Sequence, residues 1–238
     1  MNVAPVVAIV PAYDAAPSVG TVVAGLVAAF ASGPSFGGVI VVDDGSSDST
    51  SHVAASAGAI VLRHERNRGK GAALRTGLTY ALSAGARVAV TVDADGQHPA
   101  AEAVRLARYD CPEEVLVLGV RDLVRAGAPG PNRFSNQISN FFLSLFTGRD
   151  LHDTQCGLRR YPVARTLSLA PRDDGYAFEA ECILRAARAG WQIAEVPVDV
   201  YYPPEEERVS HFHVVRDPAR IVYRVVATLA TTRAQASR

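Results

Sequence analysis

The segment VAVTVDADGQHP, residues 88–99, ends a β-prone apolar run on two carboxylates. Asp93 and Asp95 flank a single alanine, Ala94. Residues two apart on an extended segment point to one side, and two carboxylates ~4 Å apart repel by roughly 4 kcal/mol at a surface-like dielectric. Either a cation sits between them or both face open water. Paired aspartates are hard oxygen ligands suited to Mg²⁺ or Mn²⁺. Such a cation neutralises a diphosphate and stabilises it as a leaving group.

Two other strand ends carry polar groups, Pro11-Ala12-Tyr13-Asp14 and Asp43-Asp44-Gly45-Ser46. Asp-Gly alone is an ordinary turn. Acidic ends on two strands with a tyrosine on a third fit a polar-ligand site, because open α/β sheets bind ligands outside the carboxyl ends of their strands. The segment NRGKGAALRTG (67–77) is neither a Walker loop nor a dinucleotide fingerprint: Gly71 follows Lys70, and residue 74 is leucine. What remains is a Gly-Lys-Gly turn at a helix start, open to an anion or to another backbone. Arg121, Arg133 and Arg159 stand at expected strand or helix ends, Arg159 within the polar, glycine-containing stretch HDTQCGLRR (152–160). Guanidinium groups suit phosphate through paired hydrogen bonds, although a lone arginine is also an ordinary surface residue.

The elements that must position these residues alternate. Strands are expected at 6–12, 38–45, 59–64, 88–92 and 114–121. Between them, residues 18–31 carry Val19, Val22, Val23, Leu26, Val27 and Phe30 at helical spacing behind a Ser18 cap. Asp48 or Ser49 caps a short helix, and residues 69–85 form another with Leu74, Leu78, Ala81 and Leu82 on one face. This βαβ alternation predicts a mostly parallel, Rossmann-like α/β sheet with helices on both faces. Residues 122–133 read as a Gly/Pro loop. A helix then carries Phe134, Ile138, Phe141, Phe142, Leu145 and Phe146 as an apolar stripe, with core packing the expectation. A helix at 176–190, a strand at 191–202 and an amphipathic helix at 218–232 complete the chain.

With 238 residues, 48% of them hydrophobic, one large domain is expected. The 24 basic and 24 acidic residues cancel, which gives no reason to invoke nucleic acid. Cys111, Cys156 and Cys182 are odd in number and in no metal spacing, so they read as free thiols of a reducing compartment. Apolar stretches run about a dozen residues, short of the ~20 that span a bilayer. With no leader pattern at the start, a cytoplasmic protein is expected.

PAYD, VDDGSSDST, NRGKGAAL, DADGQHP, DTQCGLR, YAFEAE and EVPV, in this order, closely resemble the family 2 glycosyltransferases, in particular the dolichol- and polyprenol-phosphate mannose or glucose synthases. The resemblance spans about residues 6–212. It implies a single GT-A domain over 1–212, with 213–238 a C-terminal amphipathic helix and tail. It implies inverting, metal-dependent transfer of a hexose from a GDP-mannose- or UDP-glucose-type donor to a polyprenyl or dolichyl phosphate.

Carried over position by position, Pro11, Tyr13 and Asp43 line the base pocket with Asp44 nearby, and Lys70 and Ala94 belong to the donor site. Asp93, Asp95 and Gln97 hold the Mg²⁺ or Mn²⁺. Arg121, Arg133 and Arg159 meet donor or acceptor phosphates, so that Asp95, Arg121 and Arg159 form the expected catalytic set. Glu181 contacts the sugar or braces the site. The chain departs from the family pattern in Asp14-Ala15, where Asn-Glu is usual, and in Ser210-His211, where Ser-Lys is common. Either Ser210-His211 meets phosphate or His211 simply packs. The last helix, with Arg216, Arg220 and Arg224 beside an apolar face, either lies peripherally on the inner membrane surface or docks on the core. Rival readings are a soluble or protein-bound acceptor, a sugar nucleotidyltransferase, and a non-catalytic nucleotide-sugar-binding subunit.

Overall fold

A computed structural model describes residues 5–31 and 36–202. In chain order the elements are β1 (Val6–Ala12), α1 (Ala16–Phe30), β2 (Phe36–Asp43), α2 (Thr50–Ser56), β3 (Ile60–Arg63), α3 (Lys70–Ser83) and β4 (Val88–Thr91). Then follow α4 (Ala100–Ala107), β5 (Leu116–Arg121), α5 (Gly130–Thr147), β6 (Arg159–Pro162), α6 (Val163–Ser168), α7 (Ala177–Arg188) and β7 (Ile193–Val198). The strands form one sheet in the order β3-β2-β1-β4-β6-β5-β7. All neighbours are parallel except β6, which runs antiparallel to β4 and β5.

The apolar runs of β1 and β2 are continuous rather than alternating because both sheet faces are covered. Val7, Ile9, Ile40 and Val42 face one core with α3 and α7, whereas Ala8, Val10, Val39 and Val41 face the other with α1 and α4. The mostly parallel sheet and its flanking helices match the sequence expectation.

Several details differ. Ser18 does not cap α1, which starts two residues earlier at Ala16. The first turn is held instead from the β2–α2 loop, where Thr50 Oγ1 accepts from Ala15 N at 2.8 Å and Asp48 Oδ2 accepts from Ala16 N at 3.0 Å. Helix α5 begins at Gly130, inside the expected loop. Strand β6 lies where no strand was expected, because its sequence, Arg-Arg-Tyr-Pro, has no apolar period. Its arginines are nevertheless buried, with Arg160 Nη1 donating to Val115 O at 3.2 Å. Cys111, Cys156 and Cys182 are free thiols, as expected. The 213–238 segment lies outside the described residues.

Helix α3 reaches the sheet at a glycine. A Cβ built on Gly77 would stand 2.6 Å from Ile9 Cγ2. Gly77→Ala is therefore expected to destabilise the fold by about 1–3 kcal/mol through overpacking, read as a lowered urea midpoint with unchanged m-value.

Candidate active site

Strand β1 pairs on one side with β2 and on the other with β4. The chain thus builds outward from β1 to β3, then returns across β1 to add β4. Such a reversal opens a crevice at the carboxyl ends of the two strands between which it occurs. Residues 11–14, at the end of β1, and 93–97, after β4, are its two lips.

The aspartate pair does not continue the strand. β4 ends at Thr91, and residues 94 and 95 lie in a turn. Asp95 Oδ1 accepts from Gln97 N at 2.9 Å and closes that turn. Ser18, having no cap to serve, donates to Ala94 O at 2.6 Å and ties the turn to α1. The cation beside Asp93 is a side chain: Lys70 Nζ lies 2.7 Å from Asp93 Oδ1 and 3.3 Å from Glu179 Oε1. Burial alone would lower the Lys70 pKa, but Asp93 and Glu179 outweigh it and hold the ammonium charged. Burial likewise pushes Asp93 up, and Lys70 reverses this to a net lowering.

Asp95 is the opposite case. Burial and the neighbouring Asp93 charge raise its pKa to about 6, and among the described residues no cation lies within ion-pair distance of it. The described residues contain no group of three or more His, Cys, Asp or Glu able to hold a metal. This donor set still fits Mg²⁺ or Mn²⁺ bound together with a substrate, because such ions keep waters and take only one or two carboxylates plus substrate phosphates. Asp95 is the open carboxylate, and Asp93 stands behind it on Lys70. Gln97, half-buried, is fixed through its backbone, whose carbonyl accepts from Tyr201 N at 2.8 Å.

The Gly-Lys-Gly turn resolves in favour of a backbone neighbour. A Cβ on Gly69 or Gly71 would overlap the carbonyls of Asp174 or Asp173, and one on Gly157 would overlap the Asp93 carboxylate. Close approach at these glycines brings α7, with Glu179, and the 154–158 segment against the lysine and the aspartate.

The three expected phosphate arginines separate. Arg121 sits near the mouth, 12% exposed in its side chain, and forks onto Asp153 with Nε at 2.7 Å and Nη2 at 3.0 Å. Arg133 is exposed on the first turn of α5. Arg159 is a correction: it is 0% exposed, and it donates to the carbonyls of Cys156 (2.8 Å), Glu179 (3.0 Å) and Thr154 (2.8 Å). It is a strut holding β6, α7 and the 154–156 segment together, with no face toward a phosphate.

Glu181 braces rather than faces the crevice. Its Oε2 accepts from Arg172 N and Asp173 N, both at 2.8 Å, and its Oε1 from Arg185 Nε. Asp43 and Asp44 are placed at the end of β2 as expected, but both are buried and taken up by hydrogen bonds to neighbouring segments. Asp43 accepts from Ser46 N at 2.8 Å and from Ser51 Oγ; burial pushes its pKa up and these bonds bring it net down. Asp44 receives Arg68 N, Gly69 N and His64 Nδ1, so it anchors the lysine turn. Pro11 and Tyr13 remain half-buried at the crevice lip. Ser210 and His211 lie outside the described residues.

Sequence reasoning missed Glu179, Asp153 and His98. Glu179 sits two residues from Glu181 on the same helix, and no pattern separates the one that meets Lys70 from the one that caps a loop. His98, buried beside Cys156 (Nε2 to Sγ 3.8 Å), is pulled by burial to a pKa of about 4.

Two outcomes follow from this geometry. Arg159→Met leaves the buried carbonyls of Cys156, Glu179 and Thr154 without their donor and is expected to cost about 3 kcal/mol, measured by urea unfolding. Asp95 titrates near 6 when folded and near 3.8 when unfolded. Between these values the folded state binds more protons, so this carboxyl makes the protein less stable as pH rises. Asp95→Asn should therefore gain Tm relative to wild type between pH 4 and pH 7 in metal-free buffer. An unchanged Tm difference across that range would contradict the raised pKa.

The sequence model of Glycosyl transferase family 2 matches residues 7–165. The UDP-N-acetylglucosamine–dolichyl-phosphate N-acetylglucosaminyltransferase of Methanococcus voltae is 28% identical over 222 residues, 82% of this chain and 84% of that protein. The polyprenol monophosphomannose synthase of Mycolicibacterium smegmatis is 31% identical over 173 residues, 67% of this chain and 65% of its own. Glucosyl-3-phosphoglycerate synthase from Mycobacterium tuberculosis, crystallised with Mn²⁺, UDP and glucosyl-3-phosphoglycerate, shares the fold. Its TM-score is 0.71 at 21% identity, over 96% of this chain and 79% of that one. The parallel sheet with its β1/β4 crevice is thus a GT-A architecture, and the chain belongs to glycosyl transferase family 2.

Proposed function

We propose that this glycosyltransferase moves a hexose from a nucleotide diphosphate sugar to a polyprenyl or dolichyl phosphate, with inversion at the anomeric carbon. The observation that carries the reading is Asp95, an open carboxylate with a raised pKa in the β1/β4 crevice, next to an aspartate already matched by Lys70. The names of the relatives support the lipid phosphate acceptor.

A bound Mg²⁺ or Mn²⁺ would supply charge to the departing diphosphate. Asp95, with Asp93 and Gln97, would hold it. Pro11 and Tyr13 would flank the base at the crevice lip, with the Asp43 and Asp44 loops as its frame. Lys70 keeps Asp93 ionised and in place. On the acceptor side, Arg121 has two of its five N–H donors on Asp153, and the remainder, with Arg133, would orient the acceptor phosphate. That phosphate is ionised at neutral pH, so it attacks without a side-chain base. The chain's contribution is alignment and charge placement. No described helix is long and apolar enough to cross a membrane.

The test uses the purified full chain with Mn²⁺ or Mg²⁺, labelled GDP- and UDP-sugars, and either polyprenyl phosphate, polyprenol or a soluble phosphorylated acid. The expected product is labelled polyprenyl phosphate from one nucleotide class. Asp95→Ala should lower its rate by roughly 10²–10³-fold while remaining folded. Turnover only with the soluble acid would replace the lipid acceptor, and donor binding without turnover on any acceptor would replace the enzyme reading with a binding subunit.

A further inference from the structure

Lys70 is the single lysine among the 24 lysines and arginines of the chain. It stands where one compact charge serves two carboxylates, Asp93 at 2.7 Å and Glu179 at 3.3 Å. A lysine stem is flexible, so the aim of its ammonium is set where the stem is rooted. That root is unfavourable in two respects. Lys70 is the first residue of α3, where the helix dipole opposes a cation. Gly69 before it supplies no side-chain cap to the free N–H groups there.

A carboxylate from another loop offsets both. Asp44 accepts from Arg68 N at 3.0 Å and from Gly69 N at 2.7 Å, the two residues before the lysine. Its third partner is His64, just beyond β3, and both side chains are buried. His64 Nδ1 donates to Asp44 Oδ1 at 2.6 Å, and its Nε2 meets Thr76 Oγ1 at 2.9 Å. Thr76 lies in the second turn of α3, the helix that Lys70 begins. The backbone N–H of His64 donates to Asp43 O at 2.9 Å, which ties the histidine to the end of β2. One imidazole thus touches both sides of the lysine's root: the carboxylate that holds the turn before it, and the helix that follows it.

We propose that His64 is a positioning residue for Lys70. Acting through Asp44, with Thr76 orienting its ring, it fixes the turn from which the lysine reaches Asp93 and Glu179. The structural part of this inference is independent of the reaction, and its effect on turnover rests on the function proposed above.

The lone lysine makes the test specific. In the full chain grown with isotope-labelled lysine, a single side-chain NMR signal reports Lys70. While the ammonium is held, its two ε-methylene protons are expected to be distinct. His64→Asn keeps an N–H in the place of Nδ1 and gives up Thr76, whereas His64→Gln reaches toward the place of Nε2 and gives up Asp44. The expected result is distinct ε-protons in His64→Asn and a single averaged signal in His64→Gln. On the labelled-sugar assay, His64→Gln should lower kcat/KM for the nucleotide sugar roughly ten- to a hundredfold, and His64→Asn far less. Distinct protons in both variants would show that the lysine's aim is independent of His64. Averaged protons in both would make the ring a packing element, and either result would overturn the proposal. An averaged signal with unchanged turnover would deny the positioning role. Loss of the fold in either variant, seen by circular dichroism, would equally refute it, because the whole structure would then depend on the ring. If the wild type transfers sugar to no acceptor, the lysine signals still decide this inference, and the proposed function alone falls.

Discussion

The ammonium of Lys70, 2.7 Å from Asp93 and 3.3 Å from Glu179, is the contact on which the arrangement of the site depends. Carboxylates from the segment after β4 and from α7 cannot converge in a half-buried crevice without a positive charge between them. Once the lysine supplies it, the surrounding glycines become intelligible. Gly69, Gly71 and Gly157 are places where another backbone, or the Asp93 carboxylate itself, occupies the space of a Cβ. Asp44 fixes the lysine turn through Gly69 N at 2.7 Å. Charge is then matched locally around the crevice: Arg121 answers Asp153, and Arg159 backs Glu179 at 3.9 Å. Asp95 is the carboxylate this pairing leaves over, and burial together with the neighbouring Asp93 charge raises its pKa.

Much of this was legible from residue order. The continuous apolar runs of β1, β2, β4 and β5 and the helical spacings of α1 and α3 lie within a few residues of their expected limits. The acidic strand ends could be placed because parallel strands deliver their carboxyl ends to one edge. What escaped did so for a physical reason. Strand β6 engages its arginines with main-chain carbonyls, so a polar tetrapeptide sits inside the sheet. Polarity in a sequence signals exposure only if no internal partner exists, and those partners come from segments distant in the chain. The same blindness made Arg159 look like a phosphate ligand and hid that α5 turns Ser135, Asn136 and Ser139 inward beside Leu143.

Strand β6 also explains why the two halves of the chain cooperate. As the antiparallel strand between β4 and β5, it pairs Thr91 with Arg159 and Val90 with Arg160. Thr91 Oγ1 donates to Gly157 O at 2.7 Å, so the segment leading into β6 is held against the end of β4 just before Asp93. The same segment begins at Asp153, which positions Arg121 at the end of β5. The carboxylates after β4 and the Arg121 guanidinium are therefore referenced to one short stretch, residues 153–159, rather than to separate lobes.

The departure at Asp14-Ala15 fits this economy of local bracing. Asp14 adopts a left-handed backbone, φ 45°, a conformation Asn and Asp tolerate better than most side chains. Its Oδ1 accepts from Ser47 N at 2.7 Å, and its own N–H donates to Ser46 Oγ at 2.9 Å. The loop after β1 is thereby locked to the loop after β2 on one side of Tyr13. Ala15 lacks the carboxylate usual in relatives, but Thr50 and Asp48 take up the two N–H groups at the start of α1. The lip of the crevice is thus shaped by hydrogen bonds between loops, and an aspartate in place of asparagine serves it because the bond it accepts there needs only an oxygen.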